Sequence, residues 1–296
     1  MQSRRAGMGN PGENNIYRKE RIMEKRMLWL GVVVMVVGLC SSGAPATTLG
    51  PPVAGLDADQ FSIGLEYSTR DLTLSLDDKI EARVKLDGVE QDDPNQSFSG
   101  DHDFDSDMIF TNFGYGVSEN LEVFVRLGLA DLSDRNSEFI SGKEFAWGFG
   151  AKATFYEEAA LKLGVLCQMT MASCENTIIN DDYGTDVEMP TVVDWYEIKI
   201  VVGPSYELKE SVSIYGGPFY HVISGDIEAE GFVREVETDK GIVDIDLSRS
   251  ADVEAVSNYG GYIGAQIDLG ENYFFAVEYQ FNGDDNAFGA GLVYKF

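Results

Sequence analysis

The feature that most constrains this chain is an alternation of apolar and polar residues with a period of two, interrupted by short polar turns, over most of its length. Successive side chains of a β-strand point to opposite faces, so this pattern specifies strands with two unlike faces. At the C-terminus Phe288, Ala290, Leu292, Tyr294 and Phe296 alternate with Gly289, Gly291, Val293 and Lys295. The same rhythm runs through Phe275–Phe281, Leu121–Leu129, Phe145–Phe155 and Leu161–Met171. Similar segments lie near 60–70, 107–117, 192–206, 211–222 and 256–269, which predicts about ten strands. Stretches 72–86 and 227–247 alternate more weakly and leave eight or twelve strands as alternatives.

A soluble β-sandwich also alternates, but two features favour a closed barrel. Short turns at Ser118–Asn120, Glu157–Ala159, Lys209–Glu210 and Gly270–Asn272 alternate with longer excursions over 70–106, 130–143, 172–191 and 223–255. Short turns at one end and long connections at the other are the rhythm of an up-and-down transmembrane barrel. The minority face carries Glu122, Arg126, Glu144, Lys152, Lys162, Glu197, Lys199, Glu278 and Lys295 among glycines. These fit a polar lumen, with the aromatic and aliphatic face turned to lipid. Hydrocarbon offers no hydrogen bonds, so a sheet there must close on itself. The expected fold is therefore all-β, a closed antiparallel up-and-down transmembrane β-barrel. At ten strands the lumen is narrow. Its acids and bases, roughly matched, either pair and plug it or line a small pore, and lumen-facing glycines such as Gly148 and Gly150 leave them room.

The N-terminus reads as an address. The apolar run Met27–Leu39, about 13 residues, is short of the roughly 20 a membrane helix needs. It follows Lys25 and Arg26 and precedes the small-residue triplet Ala44-Pro45-Ala46, which predicts an exported chain cleaved after Ala46. A lipoprotein signal acylated at Cys40 is the rival, disfavoured by Leu39 where a small residue is wanted. Residues 1–46 are thus an N-terminal extension plus cleavable signal peptide, with Met23 an alternative start; 47–59 form a short periplasmic segment and 60–296 the barrel. Of the cysteines beyond the leader, Cys167 and Cys174 are expected as free thiols. The charge, 22 Lys+Arg against 50 Asp+Glu for a net −28, excludes a nucleic-acid binder, which needs a basic surface.

Taken with the leader and the turn rhythm, the final strand Ala287–Phe296 resembles those of bacterial outer-membrane β-barrel proteins, which end in an aromatic residue preceded by alternating apolar positions. The resemblance, to the porin-like and OmpA-type membrane-barrel class, covers about 60–296. It implies integral residence in the outer membrane, contact with its lipid and lipopolysaccharide, and reading of Phe288, Leu292, Tyr294 and Phe296 by the barrel-assembly machinery. It says little about activity, since pores, enzymes and adhesins share the fold.

Two segments could carry chemistry. Asp101, Asp103, Asp105 and Asp107 share one face if extended and could hold a loosely bound Ca²⁺ or Mg²⁺; the run departs from an EF-hand loop at Ser106 and Asn112. Asp226, Glu228, Glu230, Glu235, Glu237, Asp244 and Asp246 repeat the acidic theme in the outer loop 226–254, whose apolar alternation suggests strands extending past the membrane. His102 and His221 invite comparison with omptin-type proteases, which pair Asp/Asp with Asp/His at a barrel rim. Phe219, Asp131 and Asp134 do not reproduce that arrangement, although His221 is expected at the outer end of its strand near Asp226. The resulting expectation is a non-enzymatic barrel with a structural or narrow-pore role and acidic outer loops. Surface binding through those loops is the alternative, and a rim hydrolase or lipid-modifying enzyme a lesser one.

Overall fold

A computed structural model describes residues 50–296 except 92–95, 135–140, 181–186, 239–240 and 284. The expected leader lies outside the described residues. The described chain forms β1 (Phe61–Leu86), β2 (Val89–Gln91), β3 (Gln96–Ser118), β4 (Leu121–Ala130), β5 (Ser133–Asp134), β6 (Glu144–Glu158) and β7 (Leu161–Asn180). It continues through β8 (Val187–Lys209), β9 (Val212–Thr238), β10 (Gly241–Ala255), β11 (Tyr259–Asp268), β12 (Tyr273–Asn282) and β13 (Asn286–Lys295).

Ten of these strands close a ring in the order β1–β3–β4–β6–β7–β8–β9–β11–β12–β13, every pair antiparallel. The seam joins the two ends of the fold, with Ser62 opposite Lys295 and Asp71 opposite Asn286. Each strand turns apolar side chains outward: Phe61, Ile63, Leu65 and Tyr67 on β1, Val123, Val125, Leu127 and Leu129 on β4, and Phe145, Trp147 and Phe149 on β6 are all exposed. An apolar belt around a ring without free edges is the solution a sheet adopts in lipid. It places the protein as an integral outer-membrane barrel.

Beyond the belt the polarity of the wall inverts while the pleat continues. On β1 the inward residues Glu66, Ser68 and Arg70 give way to Leu72, Leu74 and Leu76, and the outward Leu65 and Tyr67 give way to Asp71 and Asp77. Strand β9 does the same, with His221 followed inward by Ile223 and Ile227, and Ile214 and Tyr220 followed outward by Asp226, Glu228 and Glu230. A wall that is apolar inside and acidic outside belongs in water. Among the described residues the excursions 70–106, 172–191 and 223–255 are therefore largely paired strand, and their exposed acids Asp71, Asp77, Asp101, Asp226, Glu228 and Asp252 stand on the outer wall of an extension. The inward Leu72, Leu74, Phe104, Leu132, Val193, Trp195, Ile223, Ile227 and Val253 fill that extension with an apolar core.

Strand β10 builds this extension by taking the place of three others. β1 pairs with β13 as far as Asp71 and with β10 from Leu74 on; β9 pairs with β11 as far as Tyr220 and with β10 from Ser224 on. At the change of partner the Thr73 amide donates to Asp285 Oδ1 at 2.7 Å, so the β12–β13 turn satisfies a group that neither neighbour reaches.

The expected short periplasmic segment 47–59 is described from Gly50 on, and Gly50–Ala54 and Leu56 are buried within the short-turn end of the barrel. Ala54 N–H donates to Thr154 Oγ1 at 3.0 Å and Gly55 N–H to Glu122 Oε2 at 2.9 Å. A Cβ on Gly164 would strike the Pro52 carbonyl and one on Gly116 the Asp57 carbonyl, so bare glycines in the wall let the segment lie against it.

Candidate functional site

The lumen gathers most of the predicted ionic residues and is occupied at three levels. At the short-turn end lies the segment Gly50–Leu56, held by Glu122 and by Lys295, whose Nζ donates to the Gly55 carbonyl at 2.8 Å. Lys152 reaches toward Gly50, and its Nζ lies 5.9 Å from the centre of the Phe124 ring. A cavity of about 70 Å³ remains between this segment and the wall, bordered by Glu66, Glu122, Lys152, Gln168 and Lys295.

Above it sits a closed ionic layer. Arg126, with no exposed surface, pairs with Glu66 at 3.0 Å and stacks on Phe110, its guanidinium carbon 3.8 Å from the ring centre. Asn112 Nδ2 donates to the second Glu66 oxygen at 2.8 Å. Glu197 faces three cationic or basic groups: Lys199 at 3.3 Å, His221 Nδ1 at 3.5 Å and Arg70 at 3.8 Å. Lys199 Nζ also donates to Gln280 Oε1 at 2.7 Å, and Gln280 Nε2 donates to Glu278 at 2.5 Å. Alternate partners from β1, β4, β8, β9 and β12 thus meet in one plane, where burial makes each charge depend on its partner. The apolar core of the extension closes the lumen above this layer.

Seven of the nine predicted luminal charges, Glu122, Arg126, Lys152, Glu197, Lys199, Glu278 and Lys295, point inward. Two do not join them. Glu144 has inward parity but begins β6 at the rim and is exposed. Lys162 lies beside the β6–β7 turn and pairs at the surface with Glu157 at 2.9 Å. Glu66 and Arg70, central to the layer, lie in the expected 60–70 strand but escaped the sequence reading, whereas Gln280 lies on the polar face that reading gave it. Their inward parity was the available signal.

The four aspartates of the cation reading do share the outward face of β3, yet they do not converge. Residues two apart on an extended strand are separated by nearly 7 Å, whereas a calcium site draws its oxygens to about 2.4 Å of one point. Asp103 instead accepts from Thr73 Oγ1 at 3.1 Å and Asp107 from the Tyr67 hydroxyl at 3.1 Å. Among the described residues no group of three or more His, Cys, Asp or Glu is arranged to hold a metal ion.

His221 is not at the rim beside Asp226. It is buried in the ionic layer, its Nε2 lies 2.6 Å from the Ser257 carbonyl, and Asp226 stands on the opposite face of β9. Asp131 accepts from the Asp107 amide at 2.7 Å and pairs with Lys143 at 3.2 Å. Cys167 and Cys174 are free thiols; burial in the extension pushes the Cys174 thiol up to about 11. Phe288, Leu292 and Tyr294 lie along the outward face of β13 with Phe296 just beyond its end, and Tyr294 packs with Phe296 and Tyr273.

No family model matches the sequence, and no curated protein matches it. Among solved structures, the outer membrane protease OmpT of Escherichia coli is 12% identical over 85% of this chain and 99% of its own, with a TM-score of 0.40. The translocator domain of the autotransporter NalP of Neisseria meningitidis is 11% identical over 94% of this chain and 98% of its own, with a TM-score of 0.37. The outer membrane protein OprG of Pseudomonas aeruginosa is 12% identical over 83% of this chain and 99% of its own, with a TM-score of 0.32. The assignment of the fold rests on the hydrogen-bonded ring and the belt rather than on similarity at this level. By both, this chain is a ten-stranded β-barrel of the bacterial outer-membrane type.

Proposed function

We propose that the protein is a sealed outer-membrane barrel whose role is structural, presenting its acidic extension at the cell surface, rather than an open pore. One observation carries this reading: the lumen is filled in succession by the Gly50–Leu56 segment, the Arg70–Arg126–Glu197–Lys199 layer and the Leu72–Trp195–Ile227 core. Purified protein in planar bilayers is expected to give no unitary conductance steps. Reproducible steps from the intact chain would replace this reading with the narrow-pore one.

A second reading, surface binding, is favoured by an alignment that only the pairing reveals. Asp194, Asp226, Asp252 and Asp77 lie directly opposite one another on the adjacent strands β8, β9, β10 and β1, all exposed. Four carboxylates at one level, each about 5 Å from the next, concentrate negative potential beside the membrane surface. Divalent cations shared with lipopolysaccharide phosphates suit such a wall. Calcium-dependent protection of the extension from protease supports this reading, and identical digestion with calcium or chelator removes it. A hydrolase finds no support in His221, which the sealed lumen walls off from any substrate.

A further inference from the structure

The wall has a step where β10 takes over from β11, β12 and β13. Strand β1 keeps β13 as its neighbour up to Asp71, opposite Asn286, and gains β10 at Leu74, opposite Ala255. Across the step β9 leaves β11 at Tyr220 and meets β10 at Ser224, and between them the His221 amide donates to the Asn258 carbonyl at 2.8 Å. Leu72 and Thr73 therefore have no register partner on this side, and the β12–β13 turn lies against them through Asp285. A niche enters the wall here, where the lipid-facing surface ends, bordered among other residues by Arg70, Lys199, Phe281, Asn282 and Asp285.

Arg70 stands on the inner side of the niche and is 6% exposed. Its Nη1 faces Glu197 at 3.8 Å, but its Nε and Nη2 meet no hydrogen-bond acceptor. Those two nitrogens share one edge of the guanidinium plane, the fork that grips two oxygens of a carboxylate or phosphate at once. A buried donor left unmet is costly, so the fork marks a place for an oxyanion. The acids bordering the niche do not supply it. Asp285 Oδ1 accepts from the Thr73 amide and Oδ2 from Asn282 Nδ2 at 2.8 Å, while Asp71 is exposed on the outward face. Outside the niche Tyr279, Phe281 and Phe288 are exposed, the first two stacked with ring centres 6.1 Å apart. The Tyr279 hydroxyl donates at 2.7 Å to Asn286 Oδ1 on the rim. An apolar platform thus leads from the lipid-facing wall to a cationic recess, the arrangement that suits a molecule with a tail and an anionic head.

We propose that this step is a lipid site: it takes the oxyanion headgroup, phosphate or carboxylate, of a membrane amphiphile, with the oxygens on the Nε–Nη2 fork of Arg70 and the tail along Tyr279 and Phe281. The fork is buried, so the headgroup enters as the β12–β13 turn moves away from Thr73. A lipid fits better than a free anion. The wall above turns Asp71, Asp77, Asp226 and Asp252 toward water and repels anions arriving from there, whereas a lipid arrives along the apolar belt. The contact is direct and needs no divalent cation, which separates it from the row of aspartates. The niche lies beside the lumen rather than along its axis, so the proposal stands whether the barrel is sealed or conducts.

The test titrates the folded protein, purified in a neutral detergent, with dodecyl phosphate, with dodecyl maltoside of the same chain length, and with inorganic phosphate. Each titration is run with calcium and with chelator, native mass spectrometry counts molecules bound per chain, and heat-modifiable gel mobility reports folding of every variant. The protein is expected to take up one dodecyl phosphate saturably, equally well in chelator, while the maltoside does not saturate and inorganic phosphate competes only at far higher concentration. Arg70→Lys keeps the charge beside Glu197 but removes the fork, and is expected to weaken binding about tenfold. Asn286→Asp keeps an acceptor for Tyr279 while adding a negative charge at the rim, and is expected to weaken binding about twofold to fivefold. It carries the test by itself if Arg70→Lys does not fold. Absence of saturable uptake overturns the proposal, and so does unchanged affinity in the folded variants. Uptake that disappears with chelator assigns the headgroup to bridging cations on the acidic wall, which also overturns it. Inorganic phosphate competing as well as dodecyl phosphate would make the niche a free-anion site and refute the lipid assignment.

Discussion

The belt half of the barrel and the extension above it are built by the same strands, yet their chemistry is opposite. Between Phe61 and Arg70, β1 hides a carboxylate and a guanidinium and shows Ile63 and Leu65 to lipid; between Asp71 and Asp77 it hides three leucines and shows aspartates to water. Leu65 is 60% exposed and Leu74 only 4%, although both are leucines on one continuous strand. Solvent decides which face of a pleat is the inside. The crossover at Arg70–Asp71 therefore marks where the lipid-facing wall ends, more sharply than any loop does.

Six single substitutions, one double variant and one labelling experiment can break or sharpen that contrast. The largest effect is expected for Arg126→Met, which leaves Glu66 buried without its principal cation and costs about 3–5 kcal/mol in equilibrium urea unfolding. The double variant with Glu66→Met should recover most of it. Leu74→Ala in the extension core should cost about 2–5 kcal/mol, and Leu65→Ala on the belt much less, because lipid fills the space a truncated outward side chain leaves. Equal costs for the two leucines would mean that the halves are not inverted. A lysine at Val125, outward on β4, should cost about 2–4 kcal/mol in lipid vesicles. A lysine at Ser75, outward on β1 between Glu254 and Asp101, should instead stabilise by about 0.2–1 kcal/mol. Asp226→Asn, which relieves like charges directly opposite at Asp194 and Asp252, should stabilise by a similar amount, less so at high salt. Without any change in stability, the Cys174 thiol raised from 9.0 to about 11 should alkylate about a hundredfold more slowly at pH 8 than an unperturbed thiol, until the extension unfolds.

Much of the belt was legible in the sequence because lipid imposes one rule on every strand there. Period two, apolar outward and short turns at one end recovered the ring, and inward parity found Arg126, Glu197, Lys199 and Glu278. The extension obeys the mirrored rule, and in one dimension the change of phase at Asp71-Leu72-Thr73-Leu74 looks like the end of a strand. Residues 70–106 therefore read as an acidic loop, whereas the apolar alternation of 226–254 already suggests strands running past the membrane. Glu66 and Arg70 keep the inward parity of that strand right up to the phase change, opposite the outward Leu65 and Tyr67. Gly50–Asp59 has the look of a linker because Pro51 and Pro52 break any alternation, and nothing local reveals that Gly164 and Gly116, far along the chain, are bare to receive it. The aspartate row is invisible for the same reason: its members come from four strands and meet only through register.

Strand β1 touches β13, β3, β10 and β2 in turn, and its first pairing joins Ser62 to Lys295 across nearly the entire sequence. Such a contact has the longest loop to close and forms late. A nascent chain can zip β1 to β3 as a local hairpin, but it must carry the other flank of β1 open until β10 and β13 arrive, with the leucines at 72, 74 and 76 not yet enclosed. The connectivity itself thus leaves one unpaired edge that only the last-made strands can cover.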